Sequence, residues 1–268
     1  MATEQRSWKR FDRRRRLGRF VLLLVAAVSV VASWRFMDTG IVRPETIPRE
    51  VGDLLTRMYP PDVAYTTQIV QPLIETIQIA ALGTLGALVL SVPVALLAAE
   101  NTTPNAVTFW LGKFVVTTSR SVNTIIWALF FVVLFGSGPL AGAVAIVFRS
   151  IGFLGKLLGE EIEEIDFGQV DAVRASGASQ AQVLLYGILP QVKPALVGLS
   201  IYRWDTNIPD STVLGFLGAG GIGAEPFRAV NAFARPSVAT VLIVILCVGV
   251  VLERLSAYMR GLVPCPRP

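Results

Sequence analysis

Three charged side chains lie within long apolar stretches of this 268-residue chain: Arg149, Arg203 and Asp205. A charge inside a membrane helix is costly and normally faces a bundle interior or a water-filled path. An arginine there can bind two oxygens of an anion at once with its planar fork. Arg203 and Asp205 are two positions apart and point to different faces of a regular helix, so each needs another partner. The three side chains are therefore candidates for lining an anion path or for pairing between helices.

Enzymatic chemistry has little support in the sequence. The chain has no histidine and two cysteines, which excludes His-dependent triads, His metal sites and four-cysteine zinc sites. An acidic run at residues 160–166 could bind a metal ion or transfer protons. Lys156 precedes Glu160 by four positions, a spacing that favours local ion pairing on a helix. The favoured interpretation of the acidic run is a solvated helix end.

A glycine-rich segment at 215–223 contains Gly218-x-Gly220-x-x-Gly223, the spacing of a dinucleotide-binding fingerprint. That fingerprint needs a preceding strand and an acid about 20 residues further on, and position 243 is isoleucine. The spacing instead favours a tight turn with close helix packing. Gly220 and Gly221 are candidates for a flexible gate.

No Walker A sequence is present, because Gly112-Lys113 is followed by Phe and Gly155-Lys156 by Leu. Neither run supplies the Ser or Thr that holds Mg²⁺. Any ATPase that serves this protein is therefore expected to be another polypeptide.

The composition predicts a membrane protein with several spans. Hydrophobic residues make up 53% of the chain and charged residues 16%, with a mean hydropathy of +0.60. Soluble domains carry roughly 25% charged residues. A spanning helix needs about 20 mostly apolar residues. Six stretches meet this requirement, at about 17–36, 73–99, 106–136, 139–158, 195–216 and 236–257. The third is interrupted by polar residues, and its first half is a candidate for the inner membrane surface.

The charge distribution predicts the orientation. Residues 1–19 hold eight basic and two acidic residues, whereas the whole chain has a net charge of +5. The basic character thus belongs to one tail and is no argument for nucleic-acid binding. By the positive-inside rule both termini are cytoplasmic. The first span is expected to be a retained anchor, not a cleaved signal peptide, because no A-x-A site follows it.

These features give a domain plan. Residues 1–19 form a basic cytoplasmic tail, and residues 20–72 hold the first span and an extracytoplasmic loop or short helical segment. Residues 73–257 form the transmembrane core, with a cytoplasmic segment at 159–194, and residues 258–268 form a cytoplasmic tail.

The segment 159–194 is too long and too polar for a simple turn between spans. Gly177 suits the left-handed position that ends a helix, and Ser179 is a reasonable N-cap for the next. Pro190 and Pro194 are expected to end that second helix. A pair of short helices held out from the membrane is a docking element; the alternative is an ordinary loop with incidental helix.

This segment resembles the coupling motif of ABC-importer membrane subunits: Glu-Ala-Ala, three residues, Gly, nine residues, then Ile-x-Leu-Pro. Asp171 replaces the Glu, Val173 replaces the second Ala, and the Ile is displaced to Ile188. The resemblance implies docking on a cytoplasmic ATPase through Asp171, Ala172, Gly177, Ala178, Leu189 and Pro190.

Two flanking runs resemble the phosphonate-type importer permeases. They read Tyr202-Arg-Trp-Asp-Thr-Asn207 and Ser211-Thr-Val-Leu-Gly-Phe-Leu-Gly-Ala-Gly-Gly-Ile-Gly223. Pro209 and Asp210 depart from the family's basic-plus-small pairing. The resemblance covers roughly residues 75–257 and adds Asn207 to the path candidates. The proposed translocation path or gate then comprises Arg149, Arg203, Asp205, Asn207, Gly220 and Gly221.

The resemblance implies an all-α, methionine-importer-like permease fold with six transmembrane helices in the bacterial plasma membrane. It implies a permease homodimer, two cytoplasmic ATP-binding subunits and an extracytoplasmic binding protein. ATP and Mg²⁺ would be bound by the ATPase, with no cofactor on this chain. The expected cargo is phosphonate, phosphite, phosphate or another small anion.

Other functions stay open at this point. An importer permease for a different small solute would share the docking segment, whereas an ATP-independent transporter or channel would have no use for it. An intramembrane enzyme would need a nucleophile–base pair that the sequence does not show. A membrane scaffold would dock an ATPase without responding to cargo.

Overall fold

The computed structural model of the chain describes residues 13–36 and 47–262. Most of the predicted N-terminal tail, the loop residues 37–46 and the last residues of the C-terminal tail lie outside these ranges. The chain divides into two units, residues 1–56 and 57–268. The helices of the described residues are α1 Arg13–Phe36, α2 Ile47–Met58, α3 Thr66–Ala98, α4 Ala106–Ser121, α5 Thr124–Phe135, α6 Pro139–Glu163, α7 Phe167–Ala175, α8 Gln180–Gln182, α9 Leu189–Gly215, α10 Ala224–Asn231 and α11 Arg235–Leu262.

Five helical stretches of the described residues are long and apolar enough to cross a membrane. They are Leu17–Phe36, Val63–Ala98, Pro139–Glu163, Gln180–Gly215 and Arg235–Met259. The pair α4 and α5 supplies a sixth if its two helices count as one span bent by 94°. The predicted all-α membrane fold is therefore confirmed, with its third span broken.

The first unit holds α1 and most of α2. Within α1, the stretch Leu17–Phe36 is apolar enough for a membrane anchor, and it follows a run of arginines. α2 is amphipathic, because Ile47, Val51 and Leu55 recur at helical spacing and polar residues occupy the opposite face. The sequence predicted either a loop or a short helical segment before residue 72, and α2 is such a helical segment.

The second unit is built around the close packing of α3 against α6. Both helices bury small residues where they meet, including Ala80, Ala87 and Ala145. Gly83 allows the closest approach, since a Cβ on it would lie 2.5 Å from Cγ2 of Ile146. Small residues let membrane helices approach in this way and gain van der Waals contact. α9 packs on both helices, so these three elements form the centre of the bundle.

The break in the third span has a local cause. Asn123 adopts an extended backbone and its side-chain oxygen accepts a hydrogen bond from the Ile125 amide at 3.0 Å, which starts a new helix. Asn105 begins α4 in the same way, through the Thr108 amide at 2.9 Å. The predicted third span over 106–136 is thus divided at Asn123 into α4 and α5, with the predicted polar interruption at the end of α4.

The predicted helix end at Pro190 and Pro194 was also wrong. A π-helical turn, Val183–Ile188, joins α8 to α9, and the helix runs on through both prolines to Gly215. Pro190 lies in the first turn of α9, where an amide hydrogen is not needed inside the helix. The π-helical turn thus accommodates Pro190, and the helix does not end there. The fifth span accordingly begins well before residue 195.

Candidate functional site

The predicted docking segment is a helix–glycine–helix unit. Asp166 caps α7 by accepting a hydrogen bond from the Gly168 amide at 2.9 Å. Gly177 ends that turn with φ +83°, the left-handed conformation that glycine adopts without strain. Ser179 starts the next helix, and its amide donates to the Gln182 side chain at 2.8 Å. The predicted left-handed glycine and the N-cap serine are both confirmed.

Gln191 anchors this unit to the membrane bundle. Its Oε1 accepts from the Asp166 amide at 2.9 Å, and its Nε2 donates to the carbonyls of Asp166 at 3.3 Å and Gly187 at 2.7 Å. Val170 is fully buried on the underside of α7, where a Cβ on Gly187 would touch it at 3.4 Å. The Gln191 side chain and the apolar packing of Val170 thus hold α7 against the π-turn and the start of α9.

The outward surface of the unit carries most of the predicted docking residues. Asp171, Ala172 and Gly177 are exposed, and a Cβ on Gly177 would meet nothing within 4 Å. Asp171 pairs only locally among the described residues, with Arg174 at 3.3 Å. Ala178 is half-buried and packs on the core, while Leu189 and Pro190 are exposed at the start of α9.

Arg203 is buried in the bundle, with 7% of its surface exposed. Its Nε donates to the Ser150 hydroxyl at 2.8 Å, and its guanidinium carbon lies 5.3 Å from the ring centroid of Phe153. Its Nη2 is 3.9 Å from Oδ2 of Asp210, but among the described residues it has no hydrogen-bond partner. The partner that the sequence required is thus Asp210, two turns further along α9.

Asn207 is fully buried beside this arginine. Its Nδ2 donates to the Thr84 hydroxyl at 2.9 Å and contacts the Ser150 hydroxyl at 3.4 Å. Thr84 belongs to α3, Ser150 to α6 and Asn207 to α9, so one polar cluster links the three central helices. We call Thr84, Ser150, Arg203 and Asn207 the core polar cluster.

The other two charged candidates lie apart from this cluster. Asp205 lines a cavity of about 530 Å³ between α3, α9 and α11, which Glu253 also lines. Arg149 is half-buried on α6, and its Nη1 donates to the backbone carbonyl of Arg120 at 3.4 Å. The sequence-predicted path residues therefore do not form one site.

The glycine-rich segment lies at the end of the bundle opposite the docking segment. Gly220 and Gly221 have φ values of +79° and +85°. The Gly221 amide approaches the Glu75 carboxylate at 3.3 Å, and the Ile222 amide donates to Thr76 at 2.7 Å. The predicted tight turn and close packing are confirmed, whereas a gating role stays a prediction.

The acidic run at 160–166 forms ion pairs and hydrogen bonds both within α6 and with neighbouring segments. Lys156 pairs with Glu160 at 3.3 Å, as its spacing predicts. Glu163 accepts from the Glu100 amide at 3.0 Å and lies 3.7 Å from Lys113. Within the described ranges, no group of three or more His, Cys, Asp or Glu residues could hold a metal ion.

Several residues of these sites were missed from the sequence. Thr84, Ser150 and Gln191 are small or neutral polar residues, and nothing in their own positions distinguishes them from others. A usable signal was available for the first two, because hydroxyl residues inside membrane helices commonly bond across helices. Gln191 follows Pro190 directly, but its role depends on the π-turn.

The all-helical membrane fold and the exposed helix–glycine–helix unit are the features expected of an importer permease, a membrane component that other subunits drive. The chain belongs to the family of binding-protein-dependent transport system inner membrane components, whose match covers residues 91–260. It is therefore the membrane-spanning, non-catalytic component of such a system, located in the inner membrane.

Relatives of known name agree with this family. The phosphite transport system permease protein PtxC of Stutzerimonas stutzeri is 35% identical over 249 residues, which cover 92% of this chain and 89% of that protein. The phosphate-import permease protein PhnE of Mycolicibacterium smegmatis is 35% identical over 249 residues, covering 92% of this chain and 47% of that protein. A chain of the inward-facing MetNI methionine ABC transporter has a TM-score of 0.64 at 22% identity, covering 76% of this chain and 100% of that chain. The methionine-importer-like fold is thus confirmed.

Proposed function

We propose that this chain is the permease subunit of an ATP-driven importer for a small phosphorus oxyanion: phosphonate, phosphite or phosphate. Two permease subunits would form the translocation path as a homodimer embedded in membrane lipid. Two cytoplasmic ATP-binding subunits, which carry ATP and Mg²⁺, would drive it, and an extracytoplasmic binding protein would deliver the cargo.

The observation that carries the coupling role is the exposed face of the docking unit. Asp171, Ala172 and Gly177 point outward on a unit that Gln191 fastens to a membrane helix. A rigid protrusion with small residues at its surface fits into a groove on a partner. Because the unit is attached to α9, a movement of the ATP-binding subunit would be transmitted directly to a membrane helix.

The orientation follows from the same unit. The docking segment must face the cytoplasm, where ATP is available, and the glycine-rich segment then faces the binding protein. The basic residues before the first span agree, because the positive-inside rule retains them in the cytoplasm. Both termini are accordingly cytoplasmic in this proposal.

The cargo class rests on the named relatives and on chemistry. Proteins named for phosphite transport and phosphate import match 92% of this chain. Arginines at the bundle interior suit tetrahedral oxyanions, because a guanidinium binds two oxygens in a fixed geometry.

The test is reconstitution with candidate ATPase and binding-protein subunits in liposomes. ATP hydrolysis is measured against a panel of phosphonates, phosphite and phosphate. We expect one cargo to stimulate hydrolysis. Ala172→Asp, on the exposed docking face, should abolish both assembly and stimulation. Ala232→Asp, an exposed alanine at the opposite end of the bundle, should preserve assembly with the ATPase.

Two results would contradict parts of the proposal. A complex that assembles but responds to no phosphorus oxyanion would remove the cargo assignment and favour a different small solute. Failure to assemble with any ATPase, together with ATP-independent flux, would remove the coupling role.

A further inference from the structure

A basic groove opens between α4 and α6 at the end of the bundle that carries the docking unit. Its volume is about 670 Å³. A water molecule occupies roughly 30 Å³ in the liquid, so the groove holds many waters and admits a hydrated anion. Its charged lining residues are Lys113, Arg120, Arg149, Lys156 and Glu160. The lining therefore carries a clear excess of positive charge.

The positive charge is unevenly compensated along the groove. At its outer end Lys156 pairs with Glu160 at 3.3 Å and Lys113 with Glu163 at 3.7 Å. Further in, neither Arg120 nor Arg149 forms a salt bridge with any carboxylate of the described residues. The polar contact of Arg149 is the backbone carbonyl of Arg120 at 3.4 Å. Two arginines thus share the inner part of the groove without a fixed counter-charge.

Their positions are fixed by a clamp between the two helices. Ser119 precedes Arg120, and its hydroxyl accepts from the Gly152 amide at 2.9 Å and donates to the Phe148 carbonyl. A Cβ on Gly152 would lie 2.6 Å from that hydroxyl, so glycine is needed for the approach. Arg149 lies between the two clamped positions of α6. The backbone segments that carry the two arginines are therefore held together by contacts of Ser119, which do not involve the guanidinium groups.

The groove also connects with the buried charge of the bundle. From Glu160 to Arg149 it follows α6 for about 16 Å, at a rise of 1.5 Å per residue. Phe153 lines the groove and has the Arg203 guanidinium on its ring at 5.3 Å. The groove thus runs from the bundle end to a point separated from the core polar cluster by one aromatic side chain.

We propose that Arg120 and Arg149 form a binding site for a tetrahedral phosphorus oxyanion within this groove. Two guanidinium forks can bind such an ion through charge-assisted hydrogen bonds. The oxyanion is either free cargo on its way to the cytoplasm or the phosphate of an anionic lipid, since basic pockets between spans also bind lipid headgroups. That free cargo is one of these two sources of the oxyanion rests on the proposed function.

The test uses the full transport complex in nanodiscs. Binding of radiolabelled inorganic phosphate is measured first in neutral phosphatidylcholine, without ATP. Retention of phosphatidylglycerol is then measured in mixed nanodiscs. Arg120→Gln and Arg149→Gln should each weaken one of these interactions about tenfold or more, because a hydrogen bond to a charged group is worth roughly 1.5–3 kcal/mol. Arg254→Gln, an exposed arginine on α11 outside the groove, is the matched control and should change neither.

Each outcome has a defined meaning. Loss of phosphate binding in both variants supports a cargo site, and loss of phosphatidylglycerol retention alone supports a lipid site. Equal binding of both ligands by Arg120→Gln, Arg149→Gln and Arg254→Gln would overturn the proposal. Arg120 contacts Arg149 through its backbone, so Arg120→Gln keeps that contact and separates anion binding from folding. Cargo-stimulated hydrolysis by a complex without groove binding would leave the proposed function intact and remove this site alone.

Discussion

Nε of Arg203 donates a hydrogen bond to the hydroxyl of Ser150 at 2.8 Å and so joins α9 to α6 inside the bundle. Ser150 also contacts Asn207, which reaches Thr84 on α3. A charged side chain within the membrane is thus held mainly by neutral polar groups, with Asp210 at 3.9 Å. This arrangement makes the cluster a structural link between three helices, and its contribution can be measured.

The pair Asn207 and Thr84 should contribute measurably to stability. Asn207→Leu and Thr84→Val each remove their 2.9 Å hydrogen bond, so the double variant should cost less than the sum of the two. Hydrogen bonds between membrane helices are worth about 0.6 kcal/mol on average and up to about 1.7. Thermal unfolding in detergent of the two single variants and the double variant gives the coupling energy. A coupling near zero would show that the bond contributes nothing. Asn231→Leu, at the exposed end of α10, is the control.

Gly112 should tolerate no side chain. A Cβ there would lie 2.7 Å from the Ala98 amide nitrogen and 2.8 Å from the Leu97 carbonyl carbon, and a backbone cannot move aside cheaply. We expect Gly112→Ala to lower stability by about 1–3 kcal/mol through overpacking.

The matched change is Gly198→Ala, because a Cβ on this helical glycine would meet nothing within 4 Å. Alanine is the better helix former by about 0.8–1 kcal/mol, so this variant should be neutral or more stable. Apparent melting temperatures in the same detergent decide the comparison, and equal shifts in both variants would refute the close approach of α3 and α4.

At position 177, the backbone conformation alone should determine which residues are tolerated. Its φ is +83°, and a Cβ on it has open space around it. An alanine in this region costs roughly 1–2 kcal/mol, whereas asparagine adopts it more readily. Hydrogen exchange over residues 166–182 should therefore increase in Gly177→Ala and much less in Gly177→Asn. The reverse order would indicate that side-chain size, not conformation, governs the position.

Gln191 should act on ATPase docking without belonging to the docking surface. Gln191→Leu removes its hydrogen bonds to Asp166 and Gly187, so the start of α7 loses its anchor. We expect faster hydrogen exchange over 166–175 and weaker ATPase association. Gln71→Leu changes an exposed glutamine at the other end of the bundle and serves as the control. Unchanged exchange in Gln191→Leu would mean that Val170 packing alone holds α7.

Hydropathy and turn chemistry predicted most of the fold from the sequence. The apolar spans were found because burial in lipid leaves a long uninterrupted signal. Gly177 and Ser179 were placed correctly, since a left-handed glycine followed by a hydroxyl N-cap is a local pattern. The features that failed depend on hydrogen-bond register. At Pro190 a π-turn shifted that register, so a residue that normally ends a helix lies inside one.

The candidate site was less predictable, because its geometry depends on contacts between distant helices. Arg203 was recognised as a buried charge. Its contact with Ser150 and its distance from Arg149 depend on how α6 and α9 are rotated about their own axes. Arg120 was not among the site residues predicted from the sequence. Its place in the groove depends on the Ser119–Gly152 clamp, which no local pattern indicates.

The continuous helical stretch from Gln180 to Gly215, which includes the π-turn, has a mechanical consequence. Its 36 residues span about 54 Å at the helical rise, from the docking unit to the glycine-rich segment. In the proposed function, a helical stretch of this length would act as a lever, with the packing of α3 and α6 against its middle as the pivot. A tilt imposed at the docking unit would then move the glycine-rich end in the opposite direction. Opening toward one side of the membrane and closure toward the other would become a single motion.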